Sequence, residues 1–106
     1  MSSPQNGNPN EKTEVLTRPK LKKPPLYRVV FHNDDYTTRE FVIMVLQRYF
    51  YKSYEESVRL MLLIHHTGKG IGGVFPYDIA LTKVYQVETL AAEFEMPLRL
   101  SLEPDE

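Results

Sequence analysis

The chain contains no cysteine. That excludes a disulfide scaffold, a thiol nucleophile and every zinc site built on cysteine ligands, and it is compatible with a reducing cytosol. No stretch approaches the ~18 consecutive apolar residues of a membrane span. The N-terminus also lacks the apolar core of a secretory signal. Nor is there a large excess of one charge: 13 basic side chains face 14 acidic ones. With 106 residues at 42% apolar composition, there is room for one modest core and not for a multidomain enzyme.

The balanced total hides an asymmetry. Residues 1–26 hold five basic residues (Lys12, Arg18, Lys20, Lys22, Lys23) and two Glu, whereas the rest holds eight basic and twelve acidic residues. A body with a negative surplus is a poor nucleic-acid binder, because affinity for phosphate rests on clustered Lys/Arg. The basic cluster from Arg18 to Lys23 reads as a solubilising linker before it reads as a contact for nucleic acid or acidic lipid. Residues 1–25 are rich in Ser, Asn, Gly, Pro and alternating charge, with only Val15, Leu16 and Leu21 to bury. They are predicted to form a flexible extension. Pro24-Pro25 then imposes an extended approach into a domain over residues 26–106.

Within that domain the periodicities are clear. Leu26 to His32 is β-branched and aromatic, with Tyr27, Val29 and Phe31 on one face, and predicts a strand. Asn33-Asp34-Asp35 breaks it. Thr37 followed by Glu40 fits a capping box, after which Phe41, Val42, Val45, Leu46, Tyr49 and Phe50 recur at helical spacing. Ser53 with Glu56 makes a second box, opening a helix with the stripe Val58, Met61, Leu62 and His65, which Gly68 stops. Ile71 to Phe75 predicts a short strand loosened by Gly72 and Gly73. A third helix is expected from about Tyr77 to Glu95, with Ala80, Val84, Val87 and Ala91 on one stripe. Leu98, Leu100 and Leu102 alternate with polar residues in a last strand. The order strand–helix–helix–strand–helix–strand predicts a small α+β domain with helices on one face of a three-stranded antiparallel sheet.

Three constellations have the residue types that chemistry needs. Gly68-Lys-Gly70-Ile-Gly72-Gly73 matches a dinucleotide fingerprint in letters only. That motif needs a strand before it and a helix after it, and here the order is reversed. The glycines are better read as a helix stop and a turn where another backbone comes close. The second constellation is Asp34/Asp35 with His65/His66. Adjacent residues on a helix point about 100° apart, so at most one member of the His pair can face a common point. A catalytic metal usually wants three protein ligands, and no third candidate recurs. The ordinary use of Asn-Asp-Asp is to satisfy the first N–H groups of the next helix. With Thr37 offering that cap, the Asp carboxylates stay partly free. His65 on an apolar stripe is read first as a core histidine. The third constellation, Met61, Leu62 and Ile64 with Val42 and Leu98, is ordinary core material. No Ser or Cys nucleophile sits near a histidine in a familiar motif.

The residues Lys23-Pro-Pro-Leu-Tyr-Arg-Val-Val, His32-Asn-Asp-Asp-Tyr-Thr37, Glu40-Phe-Val-Ile, Leu60-Met-Leu, His65, Gly68-Lys69, Gly73-Val-Phe75, Thr82-Lys83-Val84 and Pro97-Leu98 through Ser101-Leu-Glu103 occur in colinear order. In this, residues 24–103 resemble the ClpS family, adaptors that hand N-degron substrates to the ClpA unfoldase of the ClpAP protease. The resemblance implies a non-enzymatic, cytoplasmic monomer with no cofactor. It would bind protein termini that begin with Leu, Phe, Tyr or Trp. By the same resemblance, Asn33, Asp35 and His65 accept hydrogen bonds from the free α-ammonium, while Asp34 assists through the substrate backbone. Thr37, Val42, Met61, Ile64 and Leu98 line the apolar pocket, and Asp78 and Lys83 dock on the N-terminal domain of ClpA. Position 39 departs from the pattern: Arg39 stands where many similar proteins have Met, which bears on the ranking of first residues. If His65 accepts from an ammonium it must be neutral, so binding should weaken in mild acid. Two alternatives stand beside this reading. One is a module of the same fold that docks on a partner without recognising N-degrons. The other is a metal-dependent hydrolase using Asp34, Asp35 and His65.

Overall fold

The computed structural model describes residues 23–106. The predicted extension therefore lies outside them except for Lys23-Pro24-Pro25, which are exposed and irregular. Six elements follow: β1 (Leu26–His32), α1 (Arg39–Phe50), α2 (Tyr54–Thr67), β2 (Lys69–Pro76), α3 (Tyr77–Glu93) and β3 (Arg99–Pro104). Their order and class are the predicted ones. β1 is the central strand, antiparallel to β2 on one side and β3 on the other.

β1 has three consecutive buried residues, Val29, Val30 and Phe31, where an ordinary amphipathic strand would alternate. Val29 and Phe31 join the core cluster with Phe41, Val45, Leu46, Phe50, Val87 and Leu100. Val30, on the opposite face, is still only 2% exposed. It floors a groove lined by Leu60, Leu63 and Ile71. The second sheet face is thus partly covered by side chains from α2, which the one-face expectation did not include.

β2 is longer than the predicted Ile71–Phe75 because pairing with β1 extends from His32↔Lys69 to Leu26↔Pro76. The register slips between Val29 and Val30, which oppose Gly73 and Ile71 and leave Gly72 as the extra residue of a bulge. A Cβ on Gly72 would lie 2.4 Å from Cε1 of Phe31. The closest approach at this glycine therefore comes from an aromatic ring.

Local capping sets where the helices begin, with one change from expectation. The Ser53/Glu56 box is present in both halves: Glu56 N–H donates to Ser53 Oγ (3.1 Å) and Ser53 N–H to Glu56 Oε1 (3.0 Å). At α1 the cap is Thr38, whose Oγ1 accepts from Phe41 N–H at 3.1 Å. Thr37 instead donates its N–H and its hydroxyl to Asp34, both at 2.7 Å. A cap at Thr38 puts Phe41 where a box needs Glu or Gln, so the predicted Thr37/Glu40 box is absent.

The buried stripe of α2 is Ser57, Met61 and Ile64, turned from the predicted Val58, Met61, Leu62 and His65. His65 is exposed. Ser57 is fully buried, and its hydroxyl has no partner among the described residues. α3 keeps the predicted stripe, with Ala80, Val87 and Ala91 buried and Val84 half-buried. It ends at Glu93, two residues early, and Glu95 takes a positive φ before Pro97. Glu88 of α3 accepts the Leu100 N–H at 2.9 Å, tying the helix to β3.

Candidate ligand-binding cavity

The loop between β1 and α1 is shaped by one side chain. Asp34 Oδ1 accepts the N–H groups of Tyr36 (2.8 Å) and Thr37 (2.7 Å), and Oδ2 accepts the Thr37 hydroxyl. This is the expected loop chemistry of an Asx residue, and it leaves Asp34 far less free than the sequence suggests. Asp35 is different. It is exposed, as is Asn33, and among the described residues neither side chain is held in a hydrogen bond. The Asn33 N–H donates to Gly68 O at 2.9 Å, pinning the start of the loop to the end of α2. Gly68, at φ 97°, ends the helix and sends the chain into β2 beside β1. His65 lies less than one turn before that stop, so the same bond that fixes Asn33 brings the loop to the imidazole.

These elements enclose a cavity of about 290 Å³ lined by Asn33, Asp34, Asp35, Thr37, Thr38, Arg39, Glu40, Val42, Met61, Ile64 and His65. Nine of the ten residues predicted for one ligand site meet here, and Thr38 and Glu40 join them. Leu98 does not line the cavity; it is 5% exposed and packs in the core. The floor is apolar, from the buried Val42, Met61 and Ile64. The rim is polar and carries three carboxylates against one guanidinium. Such a rim favours a cationic ligand, and the dry floor beside it favours an apolar group on the same molecule.

His66 is turned away, donating Nδ1–H to the Leu62 carbonyl at 3.0 Å, so only one histidine reaches the cavity. Arg39 Nη2 lies 3.2 Å from His65 Nε2. A guanidinium can only donate, so Nε2 is an acceptor in this state and the ring proton belongs on Nδ1. Among the described residues no group of three His, Asp or Glu side chains is placed to hold a metal ion, and no helix is long and apolar enough to cross a membrane.

The two residues expected to dock a partner lie elsewhere. Asp78 is exposed in the first turn of α3. Lys83, five residues on and thus about 140° around the helix, is half-buried under aromatic rings. Its Nζ lies 4.6 Å from the Tyr51 centroid, 5.5 Å from Phe75 and 5.9 Å from Phe50. Tyr51 reaches it from the left-handed C-cap of α1, at φ 56° and 79% exposed. Nothing in the periodicity of α1 pointed to Tyr51.

Residues 22–101 match the model of the family described as ATP-dependent Clp protease adaptor protein ClpS. An ATP-dependent Clp protease adapter protein ClpS of Myxococcus xanthus is 55% identical over 94 residues, covering 89% of this chain and 88% of that protein. One from Rhodospirillum centenum is 47% identical over 97 residues, covering 92% and 90%. Among solved structures, Agrobacterium tumefaciens ClpS2 bound to L-phenylalaninamide superposes with a TM-score of 0.75 at 40% identity, over 78% of this chain and all of that one. By sequence over most of its length and by fold, the chain belongs to the ClpS family of Clp protease adaptors.

Proposed function

We propose that the cavity captures the first residue of a protein chain by its free α-ammonium and its bulky apolar side chain (Leu, Phe, Tyr or Trp), and that the protein delivers this substrate to the ClpA unfoldase of the ClpAP protease. The observation that carries the reading is a rim of exposed acceptors, Asn33, Asp35 and His65, set over the apolar floor of Val42, Met61 and Ile64 in one cavity. The ligand of the Agrobacterium ClpS2 structure, a phenylalanine with its amine free and its carboxyl amidated, has that combination of groups.

In this mechanism the Asn33 side-chain oxygen, the Asp35 carboxylate and His65 Nε2 each accept from the ammonium, one N–H apiece. Asp34 holds the loop, and any help it gives the substrate backbone comes beside its three internal hydrogen bonds. Thr37, Val42, Met61 and Ile64 surround the apolar side chain, Leu98 backs them from the core, and Arg39 forms the rim. Hydrogen bonds to a charged group contribute roughly 1.5–3 kcal/mol each. A chain without a free amine leaves Asp35 desolvated and unpaired, so it is rejected strongly. One methylene in the pocket changes the affinity by only about 1–3 kcal/mol. The amine clamp therefore selects a chain terminus, and the pocket selects which residue leads it.

Asp78 and Lys83 of α3 dock on the N-terminal domain of ClpA, each from its own side of the helix. The protein acts as a cytoplasmic monomer and makes or breaks no covalent bond. Titration with a Phe-first peptide and its N-acetylated twin tests the reading. Binding of the free amine alone supports it. Equal binding of both peptides, or of neither, overturns it in favour of a docking module that does not read N-degrons.

A further inference from the structure

We propose, on the amine-capture reading above, that Arg39 reads the second residue of the bound chain and favours an acidic one. In the free protein the guanidinium sits 3.2 Å from His65 Nε2, on the lone pair that an incoming ammonium needs. Binding is then an exchange of one cation for another, and the guanidinium must leave that nitrogen. Among the described residues it has few partners to move to. Both Asp34 oxygens already accept from Tyr36 and Thr37, and Asp35 is taken by the ammonium. Glu40, the next residue along α1, lines the same rim but projects about 100° further around the helix.

The ligand itself can supply the missing carboxylate. Successive Cα atoms are about 3.8 Å apart, so a Glu or Asp at the second position places its carboxylate within roughly 10 Å of the ammonium. The rim Arg39 can reach that distance on its long stem. Without Arg39, the carboxylates of Asp34, Asp35 and Glu40 have no guanidinium beside them on the rim, and an acidic second residue would be repelled.

The test uses the full chain and three peptides, Phe-Glu-, Phe-Gln- and Phe-Lys- followed by one common sequence, each with an acetylated control. The wild-type protein should bind Phe-Glu about threefold to fivefold tighter than Phe-Gln, as for an exposed ion pair, and Phe-Lys weakest. The gap should narrow as salt rises. Arg39→Lys should keep the order, and Arg39→Gln should remove or reverse it while binding Phe-Gln more tightly than wild type does, since no cation then has to leave His65. The same order in wild type and Arg39→Gln would overturn the inference while leaving amine capture intact. Free and acetylated peptides binding alike to all three proteins would overturn amine capture and this inference with it.

Discussion

Asp34 and Asp35 are neighbours with different duties, and substitution should separate them. Asp34 satisfies two N–H groups and a hydroxyl within its own loop, so Asp34→Ala should destabilise the fold by about 1–2 kcal/mol. For a domain of this size that is a fall of roughly 5–10 °C in thermal midpoint, and binding should drop with it. Asp35 is exposed and unpaired among the described residues. Asp35→Ala should leave the midpoint nearly unmoved and weaken a Phe-first peptide about tenfold to a hundredfold, the range of a charge-assisted hydrogen bond. Calorimetric melting alongside peptide titration distinguishes the two. His65 makes the pH prediction. As an acceptor it must be neutral, so affinity should weaken in mild acid. His65→Gln should flatten that dependence. An unchanged profile in the variant would assign the dependence to another group.

At the scale of the elements, the start of α2 is the most exposed to pH. The Glu56 carboxyl is held below its usual value, chiefly by the Ser53 N–H it accepts. A depressed carboxyl contributes stability that is full above its unfolded-state value and is lost as pH falls through the folded one. The box should therefore open only in acid, and Glu56→Gln should remove that part of the acid sensitivity. Ser53→Ala should cost about 1 kcal/mol at neutral pH, measured by denaturant unfolding. The β1–β2 bulge is the second sensitive point. With Phe31 fully buried and 2.4 Å from a Cβ at Gly72, Gly72→Ala should destabilise by about 1–3 kcal/mol. Pairing it with Phe31→Leu should recover part of the loss, a coupling that independent effects would not produce.

Across the whole molecule, the cavity lies at the loop and the end of α2, whereas Asp78 and Lys83 belong to α3. The proposed substrate capture and the proposed partner docking thus fall on different surfaces. Lys83→Ala should weaken binding to the N-terminal domain of ClpA by fivefold or more, as for an interface anchor, and leave peptide affinity unchanged. Tyr51→Ser keeps the charge and removes the nearest ring. It should weaken the same docking severalfold by freeing the lysine to other rotamers. A peptide affinity that falls in parallel with docking would contradict the separation.

Much of this was legible before the fold. The Ser53/Glu56 box, the stop at Gly68, the pattern of β1 and the stripe of α3 are local or periodic, so neighbouring residues fix them without reference to the rest of the chain. The family motif likewise brought Asn33, Asp35, His65 and the apolar floor onto one list. Other features depended on contacts between segments far apart in sequence. The face of His65 was set by how α2 leans on β2 and the groove above Val30, which turned the helix until Ser57 and Ile64 were inside and the imidazole outside. Leu98 went to the core, and Lys83 under Tyr51. The guanidinium of Arg39 met a histidine 26 residues away. Sequence periodicity says which residues share a face of an element; only packing between elements decides what that face meets.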